Sequence, residues 1–176
     1  DYQKDMLHRF ENGENFHPDS SLFVDSLKYK TSKGRVVYGG GGIMPDYFVP
    51  LDTTLNSHYL NELYTSTALQ EYTFNFAESK KAELESKGFQ DFLTKFVVND
   101  QMLTELVETG ERNRVKADYV ELRKKKHLFR VHVKAQIARK LWGNEGFYPV
   151  FNETNEVFQQ AVKMFDRIPE LNRREM

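Results

Sequence analysis

Phe129-Arg130-Val131-His132-Val133-Lys134-Ala135-Gln136-Ile137-Ala138-Arg139-Lys140-Leu141-Trp142-Gly143 is the stretch on which the fold turns. Phe129, Val133, Ile137 and Leu141 recur every fourth residue, which sets them along one face of an α-helix and leaves charged side chains on the others. This reading predicts a long helix from about Lys116 to Trp142, stopped at Gly143. The same period extends in both directions. Upstream, Thr53, Thr54 or Ser57 caps a helix carrying Tyr59, Leu60, Leu63 and Tyr64, and Leu69, Tyr72, Phe76 and Ala77 share the face of a second. Gly88 sets off Phe89, Phe92, Leu93, Phe96 and Val97. Asn99 or Asp100 then precedes Met102, Leu103, Leu106 and Val107, a helix that Gly110 is expected to stop. Downstream, Asn152 is the expected cap of a last helix with Val157, Phe158, Ala161, Val162 and Phe165, closed by Pro169. About five helices with connected apolar stripes make a bundle, so the chain is read as mainly α.

Before Asp52 the pattern is different. Leu27 to Thr31 and Arg35 to Tyr38 read as two short strands around Ser32-Lys33-Gly34, a β-hairpin ahead of the bundle. Four consecutive glycines follow, Gly39, Gly40, Gly41 and Gly42, and then Ile43, Met44, Pro45 and Asp46. Ordering each glycine costs roughly 0.5–1 kcal/mol relative to alanine, so the run marks a close passage of main chain that something else must offset. Pro45 and Pro50 bracket Tyr47-Phe48-Val49, which suits an extended edge segment. Asp46 after Pro45 is read as a turn-fixing side chain rather than an acid or base.

Gly34-Arg35-Val36-Val37-Tyr38-Gly39-Gly40-Gly41-Gly42-Ile43-Met44-Pro45-Asp46, with Tyr29-Lys30-Thr31 before it and Val49-Pro50-Leu51-Asp52 after it, resembles the segment that follows the catalytic core residues in bacterial carboxy-terminal processing peptidases, the tail-specific serine proteases of the Ser-Lys type. Arg9, Gly13-Glu14 and Asp19-Ser20 fit the approach to that motif, and Lys134 to Arg139 resembles the family's helical C-terminal region. The resemblance implies that residues 1–52 are a C-terminal remnant of a peptidase catalytic domain, 53–168 a helical C-terminal domain and 169–176 a tail. It marks Gly34, Arg35, Tyr38, Gly39 to Gly42, Ile43, Pro45, Asp46, Pro50 and Asp52 as structural motif residues. The family's nucleophilic serine and general-base lysine lie upstream of the glycine run, no Gly-Lys-Gly occurs here, and the chain opens on Asp1. The expectation is therefore a catalytically silent C-terminal piece whose parent cleaves unstructured protein tails in the cell envelope or periplasm. Its expected partners are the upstream peptidase core, a protein or peptide substrate in the parent, and a second copy of itself through exposed apolar surface around Val36, Val37, Ile43, Tyr47, Phe48 and Val49. The alternative is a stand-alone helical module that docks a partner protein.

Other chemistries find little footing. With 25 basic and 26 acidic residues the formal charge is −1, so no global field draws the chain to nucleic acid or an anionic membrane. The basic cluster Arg123-Lys124-Lys125-Lys126, followed by Arg130 and Lys134, reads as a solvated helix face, and no nucleic-acid partner is expected. Without cysteine there are no disulfides, thiol nucleophiles or thiolate metal sites. His127 and His132 are five apart and do not share a helix face, and His8, His17 and His58 are scattered, so neither a metal nor a cofactor is expected. No apolar run reaches the ~20 residues of a membrane span. Ser20, Ser21, Ser26, Ser32 and Ser57 are candidate nucleophiles only beside a buried lysine able to lose its proton, and a surface hairpin offers none.

Overall fold

The Ser57 side chain accepts from Leu60 N and caps α1, His58–Thr65. The computed structural model describes residues 55–168 and, before them, 4, 7, 11, 13, 28–32, 34, 36–38, 47–50 and 52. The protein is mainly helical, with seven α-helices and a two-stranded antiparallel sheet among these residues. After α1 come α2 (Ala68–Lys87), α3 (Phe89–Lys95), α4 (Asp100–Arg112), α5 (Tyr119–Lys124), α6 (Lys126–Phe151) and α7 (Glu156–Met164), and a 3-10 turn over Phe165–Arg167. The strands are β1 (Lys28–Lys30) and β2 (Val36–Tyr38), with Tyr29 opposite Val37.

The chain divides into two compact units, Thr53–Asn155 and the pair of segments Asp1–Asp52 and Glu156–Met176. In the first, α2 packs on α4 and α6, and the expected stripe does its work: Phe129, Val133 and Ile137 are fully buried together with Leu63, Leu69 and Leu106. Each such side chain contributes roughly 1.5–3 kcal/mol of burial. Leu141, the last of the stripe, is only partly buried against this core.

Four boundaries differ from the sequence expectation. The helix expected from Lys116 to Trp142 is broken at Lys125 (φ −111, ψ 27), which separates α5 from α6. Gly143 (φ 65, ψ −150) does interrupt α6, in a region essentially restricted to glycine, but the chain resumes helical turns as far as Phe151. The resumed segment folds back so closely that a Cβ on Gly146 would lie 2.8 Å from Ala138 O. Gly110 does not stop α4. It sits inside the helix, where a Cβ would meet Leu63 Cδ2 at 2.8 Å, so it is a packing glycine. Asn152 ends α6 rather than capping α7: its N–H donates to Tyr148 O and Val150 O.

In the second unit the hairpin is as expected, with Gly34 at φ +85 and its N–H donating to Thr31 O at 2.9 Å. Nothing lies within 4 Å of where its Cβ would be, so the turn's conformation, not crowding, favours glycine. Tyr47 to Pro50 belong to no strand. Tyr47 and Val49 share an apolar hollow of about 410 Å³ with Val157, Ala161, Met164, Phe165 and Ile168.

Candidate functional site

Of the motif residues, Gly34, Tyr38, Pro50 and Asp52 are among the described residues, while Arg35, Gly39, Gly40, Gly41, Gly42, Ile43, Pro45 and Asp46 lie outside them. Gly34 turns the hairpin, and Tyr38 pairs with Lys28 at its open end. Pro50 is exposed and Asp52 half-buried. His8 and His17 likewise lie outside the described residues.

Three of the places in the helical unit where polar groups from distant parts of the sequence meet involve the serine, histidine and lysine candidates. The first is the start of α1. Glu121 of α5 accepts from Tyr59 N at 3.0 Å, supplementing the Ser57 cap, and lies 3.6 Å from Lys125 Nζ, which also donates to Asn56 O. Partial burial works to raise the Glu121 pKa, but hydrogen bonds from Tyr59 N and the Ser57 hydroxyl and the charge of Lys125 together hold it below the ordinary carboxylate value. This places a serine, a carboxylate and a lysine side by side, yet the arrangement is a helix cap. The Ser57 hydroxyl donates a hydrogen bond to Glu121 and accepts one from Leu60 N, and Lys125 is a donor to oxygen atoms. A lysine base needs an open lone pair facing the serine.

The second is a part-buried chain from α1 to α6. Gln136 Nε2 donates to the Tyr64 hydroxyl oxygen at 3.2 Å, and the same hydroxyl is hydrogen-bonded to His132 Nδ1 at 2.8 Å, with the imidazole tautomer setting which of the two donates. The Tyr64 and Phe151 rings meet the imidazole edge-on at 5.7 and 5.3 Å. Burial pushes His132 down to about 4, so the ring is neutral at physiological pH. The same burial raises the Tyr64 pKa, opposed by the Gln136 hydrogen bond and the charge of Arg139.

The third is the basic cluster, most of which the fold uses internally. Lys126 and Arg130 both reach the Asp100 carboxylate, at 2.7 and 2.6 Å. The Lys126 hydrogen bond heads the influences that lower the Asp100 pKa. Lys134 Nζ donates to Leu93 O at 2.8 Å and lies 5.8 Å above the Phe92 ring, and burial lowers its pKa. Arg123 and Lys124 alone point into solvent without an ion pair or hydrogen bond to a described residue. Consecutive cations on a helix are visible in sequence, but which of them a distant carbonyl or carboxylate takes up is not. The acceptor role of Glu121 at the start of α1 carries no local signal, because Tyr59 is 62 residues away.

Among the described residues no group of three or more His, Asp or Glu side chains is placed to hold a metal ion, and no helix is long and apolar enough to cross a membrane. Residues 59–143 are similar to a family described as a family of unknown function (DUF8443). The matched segment starts at the second residue of α1 and ends at the α6 kink, inside the helical unit. No curated protein and no solved structure matches the chain.

Proposed function

We propose that the chain is the C-terminal part of a carboxy-terminal processing serine peptidase of the Ser-Lys type, contributing scaffold and assembly surface while the reacting groups belong to sequence upstream. The observation that carries this reading is the run from Gly34 through the four glycines to Asp52, which keeps the order and spacing of the peptidase segment it resembles. The hairpin supports it. Two three-residue strands exposing Tyr29, Val36 and Val37 are marginal on their own in water and call for a larger sheet or core to lie against. The Ser57–Glu121–Lys125 cap supports the view that the helical unit holds no dyad of its own. On this reading the parent acts on unstructured protein tails in the cell envelope.

A peptidase assay tests it. The chain alone should not cleave an unfolded casein substrate, and fusion to the coding sequence immediately upstream should give cleavage that a serine-directed inhibitor stops. Turnover by the chain alone, or an upstream sequence without a serine and lysine in reach of one another, would end the proposal. A second reading, a helical interaction module, is favoured by the self-contained core of Thr53–Asn155. Capture of a defined partner by that unit without any peptidase sequence would support it.

A further inference from the structure

The groove between α4 and α5 is the surface of the helical unit whose chemistry specifies an occupant. Leu103, Val107, Leu122 and Tyr119 line it, and it has a volume of about 260 Å³, room for two or three apolar side chains. Tyr119 is 60 % exposed and its neighbour Val120 58 %, unusual for large apolar residues on a six-residue helix with no buried side chain. The inner side of α5 is fixed by Glu121 at the start of α1.

Charge decides the occupant. Arg123 and Lys126 stand at the rim, and Asp100 is the one carboxylate among the residues lining the groove. Two cations and one anion therefore line the groove; Asp100 is already shared by Lys126 and Arg130, and Arg123, with Lys124 beside it, has no ion pair with a described residue. An apolar trough with surplus positive charge at its edge complements a chain that presents large apolar side chains and carboxylates together. We propose that this groove docks an acidic, apolar-rich peptide segment of a partner protein. Tyr119 supplies the apolar anchor and Arg123 the charge-assisted contact. The proposal concerns the helical unit alone and stands or falls independently of the peptidase reading.

The test uses the full chain and a short fluorescein-labelled peptide alternating leucine and phenylalanine with glutamate and aspartate, read by fluorescence anisotropy. A control peptide carries lysine and arginine in place of the acids, and a random-sequence DNA duplex serves as competitor. The acidic peptide should bind roughly tenfold or more tightly than the basic one. Arg123→Glu should weaken it about tenfold and Tyr119→Ser about fivefold. Both positions are exposed, and an unchanged urea midpoint confirms that each variant is folded. Equal binding of the two peptides, no binding of the acidic one, indifference to either substitution, or displacement of the peptide by duplex DNA would each overturn the proposal.

Discussion

Replacing His132 by glutamine should remove a defined portion of the protein's acid sensitivity. In the folded chain the imidazole is hydrogen-bonded to the Tyr64 hydroxyl, is flanked by the Tyr64 and Phe151 rings, and is pushed down to about 4 by burial. In the unfolded chain it titrates near 6.5. Between those values the unfolded state binds a proton that the folded state does not, so stability rises with pH across the window and is lost as pH falls through it. The gap corresponds to about 3 kcal/mol, fully present above about pH 6.5 and absent below about pH 4. The lowered carboxylates Glu121 and Asp100 act in the same direction but at more acidic pH, as protonation reaches their folded values. Urea unfolding followed by circular dichroism at pH 7, 5.5 and 4.5 would measure the wild-type loss. His132→Gln keeps an acceptor for Tyr64 and cannot titrate. Its packing defect should lower stability by a similar amount at every pH while the slope between pH 6.5 and 4.5 flattens. Equal slopes in the two proteins, or an NMR titration that puts His132 near 6.5, would refute the reasoning.

Gly146→Ala should cost about 2 kcal/mol or more, because its Cβ would lie 2.8 Å from the backbone oxygen of Ala138; Gly110→Ala meets only the end of Leu63, and its midpoint should fall far less, a contrast that one pair of urea curves settles. Gly143→Ala places a side chain at φ 65, ψ −150 and should lose about 1–3 kcal/mol with no steric contact to blame. Glu121→Ala removes the second acceptor at the start of α1 and leaves Lys125 without its ion pair. A loss of about 1.5–3 kcal/mol is expected by calorimetry, and Ser57→Ala should cost about 1 kcal/mol in the same assay.

The bundle was legible because its determinants are local. Phe129, Val133 and Ile137 announce their face by spacing, Ser57 and Asn99 announce helix starts by side-chain chemistry, and Gly34 announces the hairpin turn. One boundary that went astray involves a residue whose role depends on a neighbour distant in sequence. Gly110 resembles a helix stop until Leu63 is seen to need the space, 47 residues away in sequence.

The same distinction explains the modest legibility of the candidate sites. The sequence draws the eye to runs, four glycines in one place and four basic residues in another, because a run is what a linear reading detects. Function at a surface depends instead on what the fold leaves unmatched. Of the six cations in the extended basic cluster, Lys125, Lys126, Arg130 and Lys134 are taken up by Asn56, Asp100, Glu121 and Leu93. The two that remain, Arg123 and Lys124, sit one turn from an exposed tyrosine. A cluster that suggests a broad nucleic-acid surface therefore reduces, once its internal partners are subtracted, to a narrow positive rim on an apolar trough. That rim has the dimensions of a few side chains rather than of a phosphate backbone, which is why a peptide, and not a nucleic acid, is the partner that its chemistry fits.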